Sequence, residues 1–245
     1  MTGLPQSLTE AIAQAREATK AAIADGYTRL QVEILFSELK PMPVALEFLP
    51  VFEEYGDRLK VLFPDAGGAA LARRDWKDVP FNITDIGTGR IPIDSKISPS
   101  DEIFFMIAPT SVEVTQVEQI ALLVGERPLI MLNPRLEDLG AVGIGYASRQ
   151  LRERFISTIE SCYHLRPIEE EAAVRRAYPG SWEVWLKNGE DYEKIVELPK
   201  KPSGDDLDAL LMKEQPLPTT PDERPSKKKS GFFNGLQRFI KALNN

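Results

Sequence analysis

The chain is short of the residues that most often carry chemistry: it has one cysteine and one histidine among 245 residues. The lone Cys162 cannot close an internal disulfide, which fits a reducing compartment. One cysteine and one histidine also fall short of a typical zinc site. Walker A, strand-linked GxGxxG and GxSxG patterns are absent, and Gly87-Thr-Gly-Arg90 and Gly143-Ile-Gly145 are fragments too short to count. Long apolar runs are missing too. The longest, Ile103 to Pro109, is far below the roughly 18–20 residues that span a bilayer, and reads as a buried strand. The first twenty residues, MTGLPQSLTEAIAQAREATK, carry acids early and have no apolar h-region, so neither a signal peptide nor a transit peptide is expected.

Charge is unevenly placed. The formal net charge is −7, yet no acid follows Glu223. Residues 226–245 hold five Lys/Arg and no Asp/Glu, which leaves residues 1–225 with 25 basic against 37 acidic side chains, or −12. An acidic body argues against nucleic-acid binding, because phosphate contacts need a basic face. The basic tail suits an anionic membrane surface or an acidic protein patch.

Helix and strand patterns alternate along the chain. Ser7-Leu-Thr-Glu10 is a capping box that opens a helix to about Ala24, with Gly26 as its stop. Leu30–Phe36 alternates as a strand, Pro43–Tyr55 reads as a short helix, and Arg58–Phe63 is a second strand. Ala66-Gly67-Gly68 turns into a helix to Trp76, and Phe81–Ile86 is a weaker strand. Gly87–Ser100 reads as a loop and Glu102–Ala108 as the strongest buried strand. Thr110 caps a helix ending at Gly125. A strand at Arg127–Leu132, a loop from Asn133 to Gly145 and a helix from Tyr146 to about Ser161 complete five β-α alternations. That pattern predicts a three-layer α/β domain with a mainly parallel, Rossmann-like, doubly wound sheet.

Short strands at Cys162–Ile168, Ala173–Tyr178, Ser181–Lys187 and Tyr192–Glu197 predict an antiparallel extension, with Asn188-Gly189 as a hairpin turn. Asp205–Met212 is one more helix, so residues 1–212 form a single α/β domain. Residues 213–230 carry Pro216, Pro218, Pro221 and Pro225 and read as a disordered linker. Residues 231–245 predict a basic amphipathic helix. Phe232, Phe233, Leu236, Phe239, Ile240 and Leu243 share one broad face, Arg238 and Lys241 lie away from its centre, and Lys227-Lys228-Lys229 precede it. Its occupant is a membrane surface, a partner's groove or the chain's own domain.

In an open parallel sheet, ligands sit at the carboxyl ends of the strands. Three βα loops carry suitable groups: Asp65, Gly67 and Gly68 at one helix start, Ser111 in the next loop, and Asn133 with Arg135, followed by Gly140, Gly143, Gly145 and then Arg149 and Arg152. Together they could bind a small anion or nucleotide. The simpler reading is that the same residues are turn glycines, N-caps and salt-bridge arginines. Cys162 and His164 would share a strand face, in a structural role. Trp182 and Trp185 would face opposite sides, one in the core and one on a contact surface. No metal site and no cofactor are expected.

Five motifs in order, LFPDAGGAALARRDW, IAPTSVEVTQVEQI, LIMLNPRLEDLGAVGIG, RERFISTIESCYHLRPI and RAYPGSWEVW, resemble a domain of unknown function widespread in cyanobacteria and plastids. The resemblance covers roughly residues 4–200. The family's plant members include the third low photosystem II accumulation assembly factor. It implies a cytoplasmic protein peripheral to the thylakoid membrane, a non-enzymatic accessory factor of photosystem assembly that binds a protein partner. A nucleotide- or anion-binding enzyme or regulator is the alternative. Kinase chemistry found on a relative of the family is not implied, because the Gly-rich phosphate loop with its Lys is missing here.

Overall fold

A computed structural model describes residues 3–87, 92–137, 146–169, 171–189 and 191–214. The expected linker beyond Glu214 and the expected helix at 231–245 lie outside these residues, as do Gly140, Gly143 and Gly145. The elements run α1 (Leu8–Ala24), β1 (Arg29–Ile34), α2 (Pro41–Phe48), β2 (Leu59–Phe63), α3 (Ala66–Asp75), β3 (Asn82–Asp85), β4 (Ile103–Ile107), α4 (Val114–Val124), β5 (Leu129–Leu132), α5 (Tyr146–Arg154), β6 (Glu160–Ile168), β7 (Ala172–Ala177), β8 (Trp182–Asn188), β9 (Asp191–Leu198) and α6 (Gly204–Glu214).

Nine strands form one sheet in the order β3-β2-β4-β5-β1-β6-β7-β8-β9. Pairing is parallel from β3 through β6 and antiparallel from β6 through β9. The mixed α/β class, the parallel sheet and the antiparallel extension are therefore as the sequence predicts.

Burial of both faces explains the near-continuous apolar strands. Leu30, Val32 and Ile34 of β1, with Ile103, Phe105 and Ile107 of β4, pack under α1, α2 and α3. On the other face, Phe104, Met106, Leu129 and Met131 pack under α4 with Phe155. A smaller third cluster sets Val174, Trp182 and Val184 against Leu207 of α6. Phe105 lies at the centre of the larger core, stacked on Phe48 at 5.4 Å and tilted against Phe52 at 5.2 Å.

Several boundaries differ from expectation for identifiable reasons. The helix expected over Pro43–Tyr55 is α-helical only to Phe48 and continues as 3-10 turns over Leu49–Arg58. Pro50 has no N–H to donate and its ring crowds the preceding turn. Inside the loop expected over Gly87–Ser100, Ile93–Lys96 forms a 3-10 turn, and the Lys96 ammonium meets Asp85 at 2.8 Å. Thr110 does not cap α4, which begins at Val114. Instead the Thr110 N–H and hydroxyl both donate to Glu113 Oε2, closing a turn before the helix. The helix expected to reach Ser161 stops at Arg154, where the β-branched run Ile156, Thr158 and Ile159 disfavours it, and β6 begins at Glu160.

Trp182 and Trp185 do face opposite sides, but both are buried, Trp182 against α6 and Trp185 in the α1 core. Neither belongs to a contact surface, because α6 covers the second face of the extension.

Phe105→Ala removes a fully buried ring and its two aromatic neighbours' contacts. It should lower unfolding free energy by about 3–5 kcal/mol, read from the urea midpoint at unchanged m-value.

Candidate functional site

The chain leaves β1 toward α2 on one face and leaves β5 toward α5 on the other, although β1 and β5 are hydrogen-bonded neighbours. Such a reversal opens a crevice beyond the carboxyl ends of the two strands. A cavity of about 1180 Å³ lies there, lined by the end of β1, the loop after β5, the end of β6 and Lys201.

Its floor follows from how the apolar clusters are distributed. On the α4/α5 face one cluster ends at Leu129 and Met131 of β5, and the next begins at Val174 of β7. The two strands between them, β1 and β6, carry Gln31, Glu33, His164 and Arg166 instead. Glu33 Oε2 collects three donors, from His164 Nδ1 at 2.8 Å, Gln31 Nε2 at 3.2 Å and Lys201 Nζ at 3.4 Å. Glu33 Oε1 accepts no hydrogen bond among the described residues. The His164 ring leans on Trp182 at 5.0 Å, and the Lys201 ammonium sits 5.4 Å over the same indole.

Burial alone would raise the Glu33 carboxyl, but the hydrogen bond from His164 and the nearby Lys201 hold it below its usual range. Burial pushes His164 below its usual value against the pull of Glu33. The two directions agree on a carboxylate accepting Nδ1–H from a neutral imidazole. His164 Nε2 and Ser161 Oγ are buried without partners among the described residues. Ser161 and His164 pair with Gln31 and Glu33 respectively, so both orphaned atoms belong to this polar strip.

The residues predicted from the βα loops are spread along the carboxyl edge, and only Asn133 and Arg135 line the cleft. Asn133 adopts a left-handed φ of 47° and acts as a clamp. Its Oδ1 accepts the Ile34 N–H at 2.6 Å and its Nδ2 donates to the Ile34 carbonyl at 3.1 Å, extending the β1–β5 pairing by one step. Arg135 is exposed, and its backbone continues the β4–β5 contact through Thr110.

Asp65 caps α3 by accepting the Gly68 N–H at 2.9 Å, so its own carboxylate occupies that helix start. A Cβ on Gly67 would fall 2.9 Å from Asp65 Oδ1, which accounts for a glycine there. Ser111 lies in the turn after β4, and Arg149 is exposed on α5; neither lines the cleft. Arg152, three residues on from Arg149 along α5, pairs with Glu137 at 2.6 Å and ties α5 to the cleft loop. The tail residues from Lys227 to Leu243 lie outside the described residues.

Sequence reasoning missed Glu33, Arg166 and Lys201. A glutamate inside an apolar strand was the available signal, since a buried carboxylate demands partners. The shared face expected for Cys162 and His164 is also corrected. The β1–β6 register passes from Gln31↔Ser161 to Val32↔Tyr163, so Cys162 is the extra residue of a bulge. Its thiol contacts Thr19 of α1 at 3.5 Å, whereas His164 faces Glu33 on the opposite side. Burial pushes the Cys162 thiol up to about 12, so it is protonated and unreactive near neutral pH.

The chain belongs to the family described as Domain of unknown function (DUF1995), whose model matches residues 5–209 and so takes in the whole sheet. No solved structure matches it.

Asn133→Ala strands the Ile34 N–H and carbonyl and forces alanine into a left-handed conformation. It should cost about 2 kcal/mol of stability in urea titrations. His164 is the only histidine and stays neutral when folded, while the unfolded chain protonates it below about pH 6.5. Stability from this group is therefore complete above that value and falls as pH drops below it. His164→Gln should flatten the loss in thermal midpoint between pH 6.5 and 5. The further loss below about pH 4.5, where Glu33 protonates in the unfolded chain, should shrink as well, because the hydrogen bond from His164 is the first of the interactions that hold the Glu33 carboxylate down.

Proposed function

We propose that this protein is a non-enzymatic accessory factor of the photosynthetic apparatus, of the photosystem II assembly type, working in the cytoplasm at the thylakoid surface. Its α/β body would bind a protein partner, a photosystem subunit or another assembly factor, while Phe232–Leu243 hold it to anionic lipid. The observation that carries this reading is the segregation of charge: −12 in the body and five cations without an acid in residues 226–245, interleaved with apolar residues at helical spacing. The order of the five sequence motifs supports the photosystem assignment. Among the described residues no helix is long and apolar enough to cross a membrane.

The body contributes to this reading through what its groups are engaged in. The Cys162 thiol is buried and protonated, and the His164 imidazole is held by Glu33 beneath Trp182. The two do not form a nucleophile–base pair, since Cys162 contacts Thr19 on one side of the sheet and His164 contacts Glu33 on the other. The cleft supports a second role compatible with the first, as a site where a small anion or nucleotide binds and regulates the body.

Flotation with anionic liposomes tests the anchor. Full-length protein should float at low salt and less at high salt, and the truncation lacking residues 226–245 should stay in the bottom fraction. Serine at positions 232, 233 and 239 together should release the protein as the truncation does. Unchanged flotation of that triple variant would sink the lipid anchor.

A further inference from the structure

The strand register gives the cleft a direction. Glu33 pairs with His164 across β1 and β6, and Leu165, which takes the Leu35 N–H at 2.9 Å, separates that level from Arg166. On the other side, Asn133 pairs with Val32 and Ile34, and Arg135 follows two residues later. Arg135, just past β5, and Arg166, on β6, thus flank the end of β1, whose two neighbouring strands lie about 10 Å apart. Glu33 lies a step deeper between them. All three residues line the cleft.

Their bonding states differ in a telling way. Arg135 and Arg166 are exposed and form no ion pair or side-chain hydrogen bond among the described residues. Glu33 keeps Oε1 without a donor, although its other oxygen is saturated. Two unpaired guanidiniums at the mouth suit an oxyanion, since their donors match carboxylate or phosphate geometry. A carboxylate oxygen at depth, whose charge Lys201 already offsets at 3.4 Å, suits a hydroxyl or amino donor. Glu169 and Glu171 stand on the rim after β6 and repel a heavily charged polyanion.

We infer that the cleft binds a small organic anion that carries its phosphate or carboxylate head between Arg135 and Arg166 and directs a hydroxyl or amino group onto Glu33 Oε1. This assignment rests on the reading of the cleft as a ligand site and adds to it the polarity of the ligand. Phe36, Leu136 and Ile156 supply the apolar walls between the two ends.

Isothermal titration of the full-length protein tests it with four probes. Ribose 5-phosphate and gluconate each combine a head with hydroxyls and tell phosphate from carboxylate heads. Inorganic phosphate lacks the hydroxyls and ribose lacks the head. At least one of the first two should bind about tenfold or more tightly than inorganic phosphate and ribose. The double variant R135A/R166A should weaken it about tenfold or more, and Glu33→Gln should weaken it by less, because an amide oxygen still accepts. Both arginines are exposed, and an unchanged thermal midpoint verifies that the fold is intact. ADP, with its higher charge, should bind no better than ribose 5-phosphate.

Absence of heat and of thermal protection by all probes at 10 mM, a range where weak metabolite sites still respond, overturns the ligand site itself. Equal binding of inorganic phosphate and the hydroxylated anions overturns only the donor–head polarity. Binding that survives R135A/R166A overturns the placement between the arginines.

Discussion

Strand β1 is pinned on both edges by irregular devices, and the rest of the molecule depends on those two attachments. On the β5 side the Asn133 amide mimics a strand residue, exchanging two hydrogen bonds with Ile34 after the regular pairing has ended. On the β6 side the register is shifted by one residue at Cys162. The first device holds the ends of β1 and β5 together where their crossovers part to opposite faces. The second keeps Tyr163 on the α1 side after Cys162 and so turns His164 toward Glu33. Without the shift, period-two alternation would place the imidazole in the apolar α1 layer and leave Glu33 without its strongest donor.

The polar strip is expensive in isolation and stable only because its members satisfy one another. Glu33 is buried, and an unpaired carboxylate there would protonate or drag in water. Three donors converge on a single oxygen, and one of them, Lys201, comes from the segment that joins β9 to α6. The antiparallel extension is therefore part of the site's support: it brings Lys201 and Trp182 to residues of the parallel half. A fold that ended after β6 would have the crevice but not the cation that balances its floor.

The layering and pairing class were legible because they depend on periodicity. Apolar alternation and capping signals mark Leu8–Ala24, Ile103–Ile107 and the Trp182–Leu198 hairpin directly in the sequence. The site was only half legible. Loop residues rich in Gly, Asn and Arg drew attention, and Asn133 and Arg135 were among them, but Asp65 and Ser111 follow strands β2 and β4, away from the switch point. Strand order decides which carboxyl ends meet, and it depends on contacts between residues about a hundred apart, such as Ile34 with Asn133. Local pattern carries no record of them. The bulge at Cys162 was hidden for the same reason: an extra residue on one strand has meaning only against its partner.

In the proposed function the cleft and the tail address different parts of the same problem. In that reading residues 231–245 would form a short helix at the end of a Pro-rich tether, marginal alone in water and ordered by what it binds. Such a helix would set location but would not discriminate among surfaces of similar charge. Discrimination has to come from a site whose groups are pre-positioned, because such a site loses little conformational entropy on binding. The strip of Gln31, Glu33, His164 and Lys201 meets that requirement. Each side chain is fixed by a hydrogen bond to a neighbour, and Gln31, Glu33 and His164 sit on strands of the sheet rather than on loops. A ligand that filled Glu33 Oε1 would compete for the charge that Lys201 now balances, and Lys201 stands three residues before α6, the last described element ahead of the tail. Any coupling between cleft and anchor would pass through that short segment, which makes the Lys201–Glu33 contact the place where occupancy and location would meet.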